Sequence, residues 1–183
     1  MSPNTLFYII IGVIVLNFVI DKILDALNAK HFDDSIPREL NDVYDTAAYE
    51  KSQQYKKEKY RFGLLTSVVS FVATLLFFFF DGFEWVDQWA RSFSNNNIVV
   101  ALIFFGIIML ASDILGTPFA YYHTFVIEEK YGFNKTTLKT FFLDKIKGWL
   151  MSAVLGGGIL ALIIWFYETT GAHFWLYAWG IVT

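Results

Sequence analysis

Histidine, aspartate and glutamate are the side chains of this chain best suited to bind a metal or move a proton, and their spacing decides what they can do. Histidine occurs only at 31, 123 and 173. A helix presents two imidazoles to one metal when they lie one turn apart. No two of the three do, and none is followed by Glu. His31 sits among Lys30, Asp33 and Asp34, the setting of a solvated loop histidine. His123 lies in an aromatic connector, where interfacial hydrogen bonding is the expected role, and His173 abuts an aromatic cluster typical of a membrane interface. These positions predict no metal ligand and no catalytic residue.

Asp113 is the carboxylate that interrupts an apolar run. An acid in hydrocarbon is costly and raises a functional question by default. Its nearness to Gly116 and Pro118 leaves two readings: a side chain that reaches headgroups or caps the next turn, or one with a buried role. Asn17 is a second polar side chain in an apolar run and is suited to an interhelical hydrogen bond. Gly156-Gly157-Gly158, with Ser152 and Ala153 just before, sets small residues four apart. That spacing permits close helix contact, or else marks a wide-set helix that lines a cavity.

The elements that position these residues are membrane helices. Of 183 residues, 56% are hydrophobic, 20% aromatic and 17% charged, against about 45–50% apolar and about 25% charged in a soluble domain. Such a chain is too apolar to be disordered. With no Cys it is not a disulfide scaffold, and a net charge of −3 gives no footprint for nucleic acid. The charges are segregated around uncharged or nearly uncharged runs, Leu6–Ile20, Phe62–Phe80, Ile98–Leu115 and Trp149–Tyr167. Each approaches the ~17–25 residues a helix needs to cross the bilayer. The runs are continuous rather than alternating, which argues against a barrel. The expected fold is therefore all-α and integral to the membrane. It has four complete spans near 5–27, 62–80, 98–116 and 149–167, a truncated fifth at 173–183, and helical cytoplasmic loops at 28–61 and 117–148. The last apolar run, from Ala172 to Thr183, reads either as an interfacial aromatic belt or as the first half of a further span.

Lysine and arginine orient the chain. Thirteen of the fourteen lie between the first and second or the third and fourth runs, and Arg91 alone lies between the second and third. The positive-inside rule then puts the N-terminus in the periplasm or lumen. No basic stretch precedes Leu6, so the first helix is expected to be an uncleaved anchor.

The first loop is patterned. Pro37 suits a first helical turn, with Leu40, Val43, Tyr44 and Ala47 at helical spacing, and Asp45 is placed to cap a second helix that runs past Gly63 into the second span. Lys56-Lys57-Glu58-Lys59 reads as a contact with anionic headgroups or as an ordinary solvated flank. In the second loop, Gly132 offers positive φ for a turn, Asn134 a local backbone hydrogen bond, and Thr136 or Thr137 a helix start before Leu138–Lys147.

The stretch Pro118–Thr137, P-F-x-Y-Y-x-T-F-V-I-E-E-K-Y-G-F-N-K-T-T, resembles the signature loop of the CAAX prenyl protease 1 family. The segment Pro37-Arg38-Glu39-Leu40, Val43-Tyr44-Asp45, Tyr49, Lys51-Ser52-Gln53, Tyr55, Lys59 and Arg61-Phe62-Gly63 resembles that family's first cytoplasmic loop. The resemblance extends over nearly the whole chain. It implies a membrane zinc endopeptidase whose spans enclose an internal chamber. In that family an H-E-x-x-H helix beyond the fifth span binds zinc, and its Glu activates the bound water.

That motif does not occur in these 183 residues. The chain is thus expected to be the N-terminal membrane domain of such a protease, 1–183, inactive alone and without a cofactor of its own. Zinc belongs to the full-length enzyme. Its expected partners are the bilayer, the catalytic C-terminal half and, in the full enzyme, a peptide or membrane-protein substrate. The resemblance places it in the bacterial inner membrane or the endoplasmic reticulum. Phe125, Glu128, Gly132, Phe133 and Asn134 are expected to pack on the catalytic part, and Ser152, Ala153, Gly156 and Gly157 to pack helices. The alternative is a free-standing membrane scaffold or partner-binding protein without protease activity.

Overall fold

The computed structural model describes residues 2–33 and 45–182, and it contains helices and turns with no strand among them. Helix α1 is Pro3–Ala29, followed by a 3₁₀ turn at Lys30–Asp33; α2 is Thr46–Phe79, α3 Gly82–Phe93 and α4 Asn97–Tyr122. A π-helical turn at His123–Glu128 leads into the single turn α5, Glu129–Tyr131. Then come α6, Leu138–Met151, a second π-helical turn at Ser152–Gly156, α7, Gly157–Thr170, a 3₁₀ turn at Gly171–His173, and α8, Phe174–Val182.

Four helical stretches are long and apolar enough to cross a membrane, at Pro3–Phe32, Thr46–Phe79, Asn97–Tyr131 and Leu138–Thr170. Only Ala90, Val100, Ile127 and Tyr131 are buried among the described residues, while the apolar side chains of α1, α2, α4 and α7 are largely exposed. Water would not tolerate so much apolar surface; lipid removes the objection. In lipid the backbone must satisfy itself, which a helix does completely. Hydroxyls in α2 comply by bonding back along the helix: Thr66 Oγ1 donates to the Phe62 carbonyl and Thr74 Oγ1 to that of Ser70, each at 2.9 Å.

The chain forms two compact units, one of residues 1–80 and 119–135, the other of residues 81–118 and 136–183. In the first, α1 packs on α2 through stacked Phe18 and Phe71, centroids 4.0 Å apart, and through Phe7 against Phe78 and Phe79. Asp45 caps α2 as its type and position foretell, accepting from the Ala47 amide at 3.0 Å, and Gly63 does not interrupt the helix. The helix start expected at Pro37, with Leu40, Val43 and Tyr44, lies outside the described residues.

In the second unit α3 packs on α4, with Phe83 6.4 Å from Phe104. The Asn96 side chain caps α4 by accepting from the amides of Ile98 and Val99. Asn97 Nδ2 donates to Glu168 at 2.8 Å, which ties α4 to α7. Thr137, not Thr136, caps α6.

The helices outrun the uncharged stretches: α6 continues through a π turn into the fourth span, and α4 continues past Pro118, so most of 117–148 is helical. Pro118 has no N–H and leaves the Ile114 carbonyl without its helical donor. On the same turn, Thr117 Oγ1 donates to the Asp113 carbonyl at 2.7 Å. The connector before α4, which carries Arg91, forms the amphipathic helix α3.

Candidate functional site

The aromatic and acidic connector is folded onto α2. The extra residue in the π turn 123–128 shifts the register of the helical turn beyond it, and Ile127 becomes fully buried. Gly132 then takes φ +80°, as its position in the sequence anticipates. This lets the amides of Phe133 and Asn134 turn back to the Glu128 carbonyl, at 2.9 and 3.3 Å. The Tyr55 ring of α2 meets Tyr131 at 5.2 Å and Phe133 at 4.9 Å, and Phe62 stacks on Tyr122 at 4.9 Å. Glu58 Oε2 accepts from Lys130 Nζ at 2.7 Å and from the Tyr131 hydroxyl at 2.8 Å. Glu58 precedes the uncharged run Phe62–Phe80 and so lies outside the membrane-spanning part of α2. The hydrogen bond from Lys130, and after it that from Tyr131, holds its carboxyl below the usual carboxylate range.

The structure brings Glu128, Gly132, Phe133 and Asn134 together through backbone bonds, and sets Phe125 beside Tyr121 with centroids 4.9 Å apart. Phe133 is 56% exposed, whereas Phe125 and Glu128 are half-buried. The Asn134 side chain donates to Glu129 Oε2 at 2.8 Å. Sequence reasoning missed Glu58 as an acceptor and Lys130 and Tyr131 as its donors. The available signal was a lone acid inside Lys56–Arg61.

A second carboxylate cluster occupies the other unit. Asp113, on α4, accepts from Lys145 Nζ with both oxygens, at 2.8 and 2.9 Å, and from the Trp149 indole at 3.0 Å, both on α6. The carboxylate thus joins α4 to α6 while staying partly exposed. Lys145 and Asp113 side chains are 17% and 34% exposed, and Lys145 also lies 5.7 Å from the Phe141 ring centroid.

Beside this cluster, α4, α6 and α7 border an apolar groove of about 1220 Å³ whose lining includes Leu102, Gly106, Trp149, Ala153, Gly156 and Leu160. All four small residues line this groove. A Cβ built at Gly157 would meet Leu102 at 3.6 Å, so this glycine lies against α4. Ser152, Ala153 and Gly156 are exposed along the groove, on the π turn.

Among the described residues the donors do not fit a zinc site. His123 Nδ1 faces Glu128 Oε1 at 3.6 Å, too long for a hydrogen bond. Among the described residues no three His, Cys, Asp or Glu side chains converge.

A family model described as CAAX prenyl protease N-terminal, five membrane helices, matches residues 25–183. A CAAX prenyl protease 1 homolog of Dictyostelium discoideum is 31% identical over 169 residues, 90% of this chain and 38% of that protein. One from Oryza sativa is 32% identical over 157 residues, 81% and 36%. The crystal structure of S. mikatae Ste24p superposes with a TM-score of 0.87 at 27% identity, covering 97% of this chain and 42% of that one. The chain therefore spans less than half the length of each of these proteins.

Proposed function

The chain belongs to the CAAX prenyl protease N-terminal family, and from that premise we propose that it is the membrane half of a zinc endopeptidase, completed by a catalytic part that carries H-E-x-x-H. Its own residues do not ligate the metal; they supply a wall and a docking surface. When bound to the catalytic part, zinc would activate water for peptide hydrolysis. The connector at Phe125, Glu128, Gly132, Phe133 and Asn134 docks that part. The observation that carries this reading is that Tyr55 and Glu58 hold the connector on α2, while Phe133 and Gly132 stay on the surface. A preorganised, partly apolar surface loses little entropy on binding.

The groove beside Gly156 forms part of the wall of an intramembrane chamber. The thirteen-to-one distribution of Lys and Arg supports cytoplasmic placement of the connector, with the N-terminus in the periplasm or lumen. The host membrane is the endoplasmic reticulum or a bacterial inner membrane. The substrate is a peptide bond near the C-terminus of a prenylated protein, or in a bacterial cell a membrane protein.

The test is co-expression of this chain with a separate chain that bears the H-E-x-x-H portion of a relative, each half alone serving as control. Zinc-dependent cleavage of a membrane peptide by the pair only, diminished by Phe133→Asp, is the expected result. Stable, monodisperse chain that neither binds the second half nor restores activity would favour the free-standing scaffold and overturn the proposal.

A further inference from the structure

Helix α3 divides its circumference three ways. Ala90 is fully buried and Phe83 packs towards Phe104, so one face rests on α4. Glu84, Asp87, Gln88, Arg91 and Ser92 form a polar face that satisfies itself: Gln88 bonds Glu84 at 3.0 Å and Arg91 bonds Asp87 at 2.7 Å. Between them Trp85, Trp89 and Phe93 stand four residues apart, on one stripe, and are 74%, 59% and 65% exposed. Trp89 and Phe93 lie 6.1 Å apart, centroid to centroid.

Residues 94–96 alone join α3 to the first turn of the membrane-crossing helix α4. Three residues reach about 10 Å at most, so α3 stays at the boundary where the bilayer begins. Indole and phenyl rings favour that zone. We propose that α3 is an interfacial anchor, lying along the membrane surface with Trp85, Trp89 and Phe93 inserted between phospholipid headgroups and acyl chains. Two acids and one base on the polar face leave it with no pull toward anionic lipid. The partner is thus the apolar margin of a zwitterionic bilayer, and the contact is insensitive to salt.

The absence of cysteine makes the test clean. Single cysteines at 84, 85, 88, 89, 91 and 93 are spin-labelled in the 183-residue chain reconstituted in phosphatidylcholine vesicles. Accessibility to dissolved oxygen and to a water-soluble nickel complex is then measured. Labels from Trp85→Cys, Trp89→Cys and Phe93→Cys are expected to show an oxygen-to-nickel ratio several-fold above those from Glu84→Cys, Gln88→Cys and Arg91→Cys, unchanged in high salt. In parallel, bromines placed shallow on the acyl chains should quench the unlabelled chain's tryptophan emission, and Trp85→Phe/Trp89→Phe should remove much of that quenching. Nickel access at 85, 89 and 93 equal to that at 91 would put the stripe in water and overturn the proposal. Shielding of the three from both reagents would mean that protein, a second copy or a further segment, covers it, and would overturn it equally.

Discussion

The two units each contain a carboxylate held by one lysine and one aromatic donor. In one, Glu58 accepts from Lys130 and Tyr131; in the other, Asp113 accepts from Lys145 and Trp149. The inventories match, and the surroundings do not. Glu58 emerges from a basic stretch ahead of the apolar part of α2, and its lysine partner is 58% exposed. Asp113 sits in an apolar run, and its lysine is 17% exposed. Water can replace a lost partner at the first cluster. At the second, the lysine is shielded, and the carboxylate, 34% exposed, lies in a helix long and apolar enough to cross a membrane, where replacement water is scarcer. The same three groups should therefore be an adjustable clip in one unit and an unforgiving pin between α4 and α6 in the other.

The largest effect expected from this contrast comes from removing one charge at the pin. Asp113→Ala strands Lys145, and Lys145→Ala strands Asp113; each should destabilise the chain by about 3 kcal/mol, since a desolvated charge left alone is costly. The double change Asp113→Asn/Lys145→Met removes both charges and should recover most of that loss. Unfolding in a denaturing detergent, read by tryptophan emission, measures all three. If either single change costs no more than Glu58→Ala, depth in the membrane does not distinguish the clusters and the comparison fails.

A matched pair of ring-preserving changes sharpens it further. Trp149→Phe deletes a donor to a charged acceptor in a poorly solvated site and should cost about 1–2 kcal/mol. Tyr131→Phe deletes the corresponding donor to Glu58 while leaving the Tyr55 contact in place, and should cost less. The same detergent titration compares them directly. Equal costs would mean that the connector is as dry as the α4–α6 interface.

Glu58→Ala should produce a smaller loss still, and one that fades as salt is raised, because exposed pairs are screened. The Asp113 pair should be nearly indifferent to salt. Thermal midpoints of the two variants and the parent at low and high ionic strength check this.

Legible and hidden features of the sequence divide along the same line. Spans are legible because lipid admits only long uncharged helices, so Phe62–Phe80 declares itself. Asp45 and Gly132 are legible because a cap and a left-handed turn each demand a particular side chain, and both act within a few residues. Asp113 can be singled out, but not its partner, since Lys145 and Trp149 lie on another helix and nothing local links them. The same holds for Glu58, whose solvated neighbours mask a partner at Lys130. The π turns at His123–Glu128 and Ser152–Gly156 leave no compositional trace, and they shift which faces meet. Helix α3 is readable: Phe83, Val86 and Ala90 repeat at helical spacing. A short segment between two dominant apolar runs hides that repeat.

The smallest effect expected is a pH dependence at the clip, and its sign is set by the direction of the Glu58 shift. Lys130 and Tyr131 stabilise the ionised carboxylate, so the folded group titrates below its ordinary value of 4.5. The stabilisation is then complete above about pH 4.5 and declines as pH falls through the lower, folded value. Glu58→Gln keeps an acceptor for Tyr131 but cannot be charged, so it should lack this dependence. The difference in thermal midpoint between parent and Glu58→Gln should be constant from neutral pH down to about 4.5 and then shrink toward zero, with other carboxylates cancelling because both proteins carry them. A difference that grows on acidification would mean that the neutral form is the one the fold prefers. Glu58 would then be as desolvated as Asp113, and the distinction between clip and pin would be lost.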